Sequence, residues 1–206
     1  MPGREDVVLY VGVPHAGKTT LALAHAAALI RETGYPLLVL DCGHAKKFLT
    51  WYHAQSVEEV GDRVWGRGQH TCYFPPNETE FNRVLDGVYG GKRCVLLVDE
   101  LAFWTTNRSV PESLARLLRG HLQIDVPVLT TTQSVRDLER IARVCVTEAY
   151  VFYTDEDGDL EVIGGRWKIS KERIFSLGVG QYVKWSRADT FGQPPAPPPP
   201  APAGNS

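Results

Sequence analysis

Gly12-Val-Pro-His-Ala-Gly17-Lys18-Thr19 fits the pattern G-x-x-x-x-G-K-[ST], and the fold turns on how that stretch is read. Two glycines let the backbone curl until several N–H groups point into one concavity, at the positive end of whatever helix follows. Both flanks agree. Asp6 to Val13 reads DVVLYVGV, a short apolar run of the kind that makes a buried parallel strand. Lys18 to Thr33 reads KTTLALAHAAALIRET, an Ala- and Leu-rich helix with Gly34 placed to cap it and Pro36 just beyond. Strand, glycine loop and helix make a phosphate-binding loop. Gly12, Val13, Pro14, His15, Ala16, Gly17, Lys18, Thr19 and Thr20 are its candidate nucleotide contacts. Lys18 is expected on the β- and γ-phosphates, and the Thr19 hydroxyl on Mg²⁺.

Arg93-Cys-Val-Leu-Leu-Val-Asp99-Glu100 is the second informative stretch, an apolar strand that ends in adjacent carboxylates. In a nucleotide site the first acid can hold the Mg²⁺ shell and the second can orient or deprotonate the attacking water. Asp99 is therefore a metal candidate beside Thr19, and Glu100 a candidate base. Val126-Pro-Val-Leu-Thr-Thr-Thr-Gln133 reads as a β-branched strand with a polar tip. In open parallel sheets ligands bind at the carboxyl ends of strands, which puts Gln133 where it can sense the γ-phosphate or position water. Ser134 and Asp137 also allow a plain helix-capping turn there.

Elsewhere the reading is coarser. Pro36 to Asp41 is a second apolar strand, and a helix with Trp51 and Tyr52 is expected after it. Gly61 to His70 has no clear period and reads as loop, and Thr71 to Phe74 as a short strand. Asn77 with Glu80 forms a capping box ahead of Phe81, Val84, Leu85 and Val88 at helical spacing. Ser109-Val-Pro-Glu112 starts a helix whose core face is Leu114, Leu117 and Leu118, and which also carries Arg116 and Arg119. Glu148 to Thr154 is a strand, Asp155-Glu-Asp-Gly-Asp159 a hairpin turn into a strand at Leu160 to Ile163, and Gln181 to Arg187 a last edge strand. Arg166, Lys168, Lys171 and Arg173 cluster around Trp167, most simply as a solvated basic face.

The 206 residues, 43% of them hydrophobic, suffice for one substantial core. Residues 1–190 form one domain in this reading, and 191–206, with the run PPAPPPPAPAGNS, a disordered Pro-rich tail. A net charge of −2 gives no global basic field for nucleic acid, so a polyanion would have to be met locally or by several subunits together. Cys42, Cys72, Cys94 and Cys145 form no CxxC pair and read as free thiols of a reducing compartment. No apolar run approaches the roughly 20 residues of a membrane span, and a cytoplasmic location is expected.

Taken in order, GxxxxGKT, LLVLD, VLLVDE and VLTTTQ resemble the ATPase core of the FtsK-HerA superfamily over residues 5 to 155. Within it the chain most resembles the genome-packaging ATPases of tailless, membrane-containing double-stranded DNA viruses. The stretch VDELAFW is similar to the Zot-like assembly ATPases of filamentous phages. The resemblance implies a RecA-like α/β fold with a mostly parallel sheet flanked by helices, here with an antiparallel hairpin near the C-terminus. It implies ATP and Mg²⁺ as ligands, double-stranded DNA as partner, a homo-oligomeric ring, by resemblance a hexamer, and a capsid vertex or membrane protein as docking partner. It makes Asp99 the Walker B acid, Glu100 the base and Gln133 the sensor, and it expects an arginine finger from a neighbouring subunit. Arg119 is the first choice and Arg116 the second, with Arg140 and Arg143 still open. Arg63, Arg67 and Arg108 are candidate DNA contacts, since a ring of a few arginines per subunit can line a channel. A small-molecule kinase would also use the loop, but no segment reads as its arginine-rich lid. No [NT]KxD guanine motif is present.

Overall fold

The computed structural model describes residues 6–41, 48, 51–105 and 110–191. Strand β1 (Val7–Val11) is buried at all five residues. The chain continues through α1 (Lys18–Thr33), β2 (Leu37–Asp41), β3 (His53–Ala54), α2 (Val57–Val60), β4 (Thr71–Tyr73), α3 (Glu78–Tyr89) and β5 (Val95–Asp99). It ends with α4 (Glu112–Ile124), β6 (Val128–Thr132), α5 (Arg140–Cys145), β7 (Glu148–Val151), α6 (Asp157–Trp167), α7 (Lys171–Phe175), β8 (Val183–Ser186) and α8 (Arg187–Phe191).

One eight-stranded sheet runs in the order β3-β4-β2-β5-β6-β1-β7-β8. All pairings are parallel except β7 with β8, which is antiparallel and matches Val151 with Val183. Helices cover both faces, so the inner strands are apolar on both sides and read as unbroken hydrophobic runs. Val8, Tyr10, Val39 and Leu97 face α1 through Ala22, Ala26 and Leu29. Leu9, Val11, Leu96 and Val98 face the helices of the other layer through Phe81, Leu85, Leu114 and Leu118. Each such side chain contributes roughly 1.5–3 kcal/mol on burial. This clamps the sheet from both sides and fixes the carboxyl ends of β1, β5 and β6 as neighbours.

Helix signals in the sequence are met closely. Asn77 accepts from the Glu80 N–H at 2.9 Å, and Gly34, at φ 72°, closes α1 by donating to the Ile30 carbonyl. Three expectations are corrected. Trp51 and Tyr52 are not helical; they lead directly into β3, and the Tyr52 carbonyl accepts from Cys72 N–H at 2.9 Å. Gly61–Gly66 is not loop but a wide helical turn that continues α2 and buries Val64. Residues 155–163 form no hairpin, because Leu160, Ile163 and Trp167 recur at helical spacing and face the core from α6. The acids read as a turn occupy that helix's amino-terminal end, where the helix dipole favours them. The antiparallel partner of β7 is instead β8, within the edge segment expected at 181–187. Cys72 and Cys94 are buried free thiols, Cys145 is half-buried, and Cys42 and the tail at 192–206 lie outside the described residues.

Candidate functional site

The phosphate loop leaves the end of β1 with backbone conformations that few side chains allow. Gly12 lies at φ 150° and Gly17 at φ 105°, and His15 adopts φ 62°. A Cβ on Gly12 would lie 2.7 Å from Phe152 Cβ and 2.8 Å from the Tyr153 carbonyl oxygen, both at the end of the neighbouring β7. Gly12→Ala is accordingly expected to cost about 2–4 kcal/mol, from the unfavourable φ plus a clash with backbone. A shift in the denaturant midpoint measures it, and a midpoint within error of wild type would contradict the packing.

Lys18, at the first turn of α1, is 7% exposed, and its ammonium donates to the Gly12 and Val13 carbonyls at 2.7 and 2.8 Å. The amine thus lies over the concavity of its own loop. One residue on, Thr19 donates to Asp99 Oδ1 at 3.1 Å, across from α1 to the tip of β5. Thr131 on β6 donates to the same oxygen at 2.8 Å. Asp99 is 1% exposed, so two hydroxyls meet one buried carboxylate oxygen. A hydroxyl and a carboxylate are hard oxygen donors, which suits Mg²⁺. Among the described residues no group of three or more His, Cys, Asp or Glu could hold a metal. Mg²⁺ in nucleotide sites takes most of its shell from phosphate and water, so two protein oxygens fit it.

Glu100 is the tightest point of the site. Its backbone lies at φ 58°, ψ 62°, a left-handed conformation that costs a non-glycine residue on the order of 1–2 kcal/mol. Thr131 Oγ1 accepts its N–H at 3.0 Å and helps hold that turn. The carboxylate is then gripped at both oxygens, Oε1 by the Gln133 N–H at 3.0 Å and Oε2 by the Gln133 side-chain amide at 3.2 Å. Lys18 and Thr19, at the start of α1, and Asp99, Glu100 and Gln133, at the ends of β5 and β6, therefore share one end of the sheet.

Two contributors escaped the sequence reading. The Thr131 hydroxyl links Asp99 to the Glu100 backbone, a role that no residue pattern distinguishes within Thr-Thr-Thr. Asp159, 1% exposed on α6, accepts from Ser134 Oγ and from the Arg136 N–H, both at 2.8 Å, and so pins the loop that follows Gln133. The helical spacing of Leu160, Ile163 and Trp167 was the signal that would have placed it.

The arginines divide. Arg116 pairs with Asp86 and lies over the Tyr89 ring, so it ties α4 to α3 within the subunit. Arg119 is exposed and makes no ion pair among the described residues. It lines a cleft of about 480 Å³ with Arg140, Glu139 and Val144. Arg140 and Val144 also line a second cleft, of about 630 Å³, with Arg143 and Arg166. The Arg166 guanidinium is lowered from its usual pKa, first by burial and then by Arg187 and Arg143 beside it. This flank thus concentrates positive charge. Arg63 lies 3.4 Å over the Tyr52 ring, and Arg67 pairs with Asp62 at 2.8 Å. Three residues after Arg67, His70 accepts the Leu37 N–H at the start of β2, the end of the sheet away from the phosphate loop. Arg108 lies outside the described residues.

A model of the ATPase family associated with various cellular activities (AAA) matches residues 8–152. No curated protein matches. Among solved structures, the genome packaging NTPase B204 from Sulfolobus turreted icosahedral virus 2, in complex with ATP-gammaS, superposes with a TM-score of 0.73 at 18% identity, over 90% of this chain and 94% of that one. VirB4 of Thermoanaerobacter pseudethanolicus gives 0.62 at 11% identity, over 90% and 88%. The cytoplasmic domain of the Thermomonospora curvata Type VII secretion ATPase EccC gives 0.51 at 14%, over 77% of this chain and 20% of that one. At these identities the likeness is one of fold, and it agrees with the RecA-like P-loop fold implied by the motifs.

Proposed function

The chain belongs to the ATPase family associated with various cellular activities, and from that premise we propose that it is a ring-forming motor that translocates double-stranded DNA, in the service of packaging a viral genome. The observation that carries the reading is the double grip of Gln133 on Glu100 beside the Thr19–Asp99 pair. Such a link makes the proposed base depend on the tip of β6, and hence on whatever that strand senses. The similarity in fold to a genome packaging NTPase supports the choice of substrate. Among the described residues no helix is long and apolar enough to cross a membrane.

In the proposed mechanism Lys18 exchanges its loop carbonyls for β- and γ-phosphate oxygens and neutralises charge that builds during cleavage. Thr19 and Asp99 would hold Mg²⁺, which when bound screens the phosphates and polarises the transferring group. Glu100 accepts the proton of the attacking water, with Gln133 fixing the direction of its carboxylate. Arg119 reaches the neighbouring subunit's nucleotide, since it is exposed and makes no ion pair among the described residues, while Asp86 on α3 already claims Arg116.

ATPase rate against protein concentration, with and without double-stranded DNA at low salt, tests the proposal. A specific rate that rises with concentration and again with DNA is expected. A flat, DNA-independent rate would instead describe a self-contained monomer. Arg119→Ala and Glu100→Gln subunits, each inactive alone, are expected to recover part of the activity when mixed, because some interfaces then carry both intact groups. No recovery at any ratio would remove Arg119 from the role.

A further inference from the structure

On the side of the phosphate loop facing β7, the chain after α7 returns and closes against the loop. Gly180 donates its N–H to the Ala16 carbonyl at 3.0 Å. A Cβ on Gly17 would meet Gly180 Cα at 3.3 Å, so the returning segment and the loop are in backbone contact. Between them lies a cleft of about 330 Å³, with Pro14, His15 and Ala16 on one wall and Tyr153, Leu177 and Val179 on the other. Val179 is 88% exposed at its rim, and Phe175 stands 6.4 Å from the Tyr153 ring, 52% exposed. An apolar cleft that shares His15 and Ala16 with a phosphate loop is continuous with the triphosphate's seat.

We infer that this cleft holds the nucleobase, that it takes purines by apolar and stacking contact, and that it discriminates little between adenine and guanine. The inference rests on the proposed nucleotide site and deepens it. Strong selection of one base requires buried donors and acceptors matched to its edge. Here four backbone donors of the returning segment are already committed, and the fifth, the Val179 N–H, belongs to a residue 88% exposed, where water competes for it. Leu177 N–H donates to Ile174, Gly178 N–H to the Gln181 side chain, Gly180 N–H to Ala16, and Gln181 N–H to the Gly178 carbonyl. The polar side chains on the walls are His15, which is exposed, and Tyr153, which is half-buried, so water competes with either for a base edge. What the cleft offers is area, and a purine covers more of it than a pyrimidine.

Titration of the full chain with ATP, GTP, CTP and inorganic tripolyphosphate separates the base from the phosphates. ATP and GTP are expected to bind within about threefold of each other, and CTP about fivefold more weakly for its smaller apolar area. Tyr153→Ser/Val179→Ser should weaken ATP and GTP about tenfold and leave tripolyphosphate unchanged. Val179→Ser alone, at an exposed position that the fold does not need, should move the same way by less. A preference for one purine of about a hundredfold would overturn the inference, because that requires hydrogen-bonded readout. Unchanged ATP affinity in the double variant would place the base elsewhere. Tripolyphosphate that fails to bind wild type would instead overturn the phosphate-loop site on which the inference stands.

Discussion

Lys18→Ala is expected to reduce ATP hydrolysis by at least about a hundredfold and to weaken triphosphate binding about tenfold or more. The first figure follows from the loss of a preorganised positive donor at developing charge, which costs about 10²–10³ in kcat. The second follows from the strength of charge-assisted contacts to phosphate. Lys18 is buried and its ammonium is held by two carbonyls, so its removal also takes a charge out of the interior. Folded stability should therefore change little, and a thermal melt beside the phosphate-release assay separates lost catalysis from lost fold. A variant that kept more than a tenth of wild-type kcat would contradict the assignment of Lys18 to the phosphates.

Glu100→Gln should retain ATP and stop turning it over. Glutamine has nearly the shape of glutamate, and its side-chain oxygen can still accept the Gln133 N–H that the carboxylate accepts now at 3.0 Å. The left-handed turn at φ 58° is no harder for one than for the other. What disappears is the basicity, and loss of a positioned general base costs about 10²–10⁴ in rate. Single-turnover hydrolysis together with equilibrium ATP binding reads both halves. Undiminished single-turnover hydrolysis would move the base elsewhere. Weakened binding with normal chemistry would make Glu100 a nucleotide contact instead.

The stretch at 12–19 and the acids at 99–100 were legible because each meets a local demand: positive φ at Gly12 and Gly17, and a strand end that delivers two carboxylates to one edge. The glutamine-tipped strand was legible too, since its polar end contrasts with an apolar body. What stayed hidden depends on partners distant in sequence. Arg116 and Arg119 share a helix and differ only because Asp86 and Tyr89 wait on α3 for one of them. Asp159 reads as part of a turn because Asp-Glu-Asp-Gly is a strong turn composition, and the donors it accepts from, Ser134 and Arg136, lie more than twenty residues upstream. The segment around Gly180 has no chemical signal of its own. It matters through what it meets, a backbone hydrogen bond from Gly180 to Ala16 and the cleft wall at Leu177 and Val179.

The position of β1 between β6 and β7 also governs how the protein is born. Val7 pairs with Val128, and Val8 with Glu148, so β1 meets neither of its sheet neighbours until well over a hundred further residues have been made. At about 5–20 residues per second that delay lasts many seconds, during which an apolar β1 has open edges. Pairing so remote in sequence is also slow by its nature. Unpaired strand edges of that kind make a nascent chain prone to aggregate, the hazard that chaperones meet.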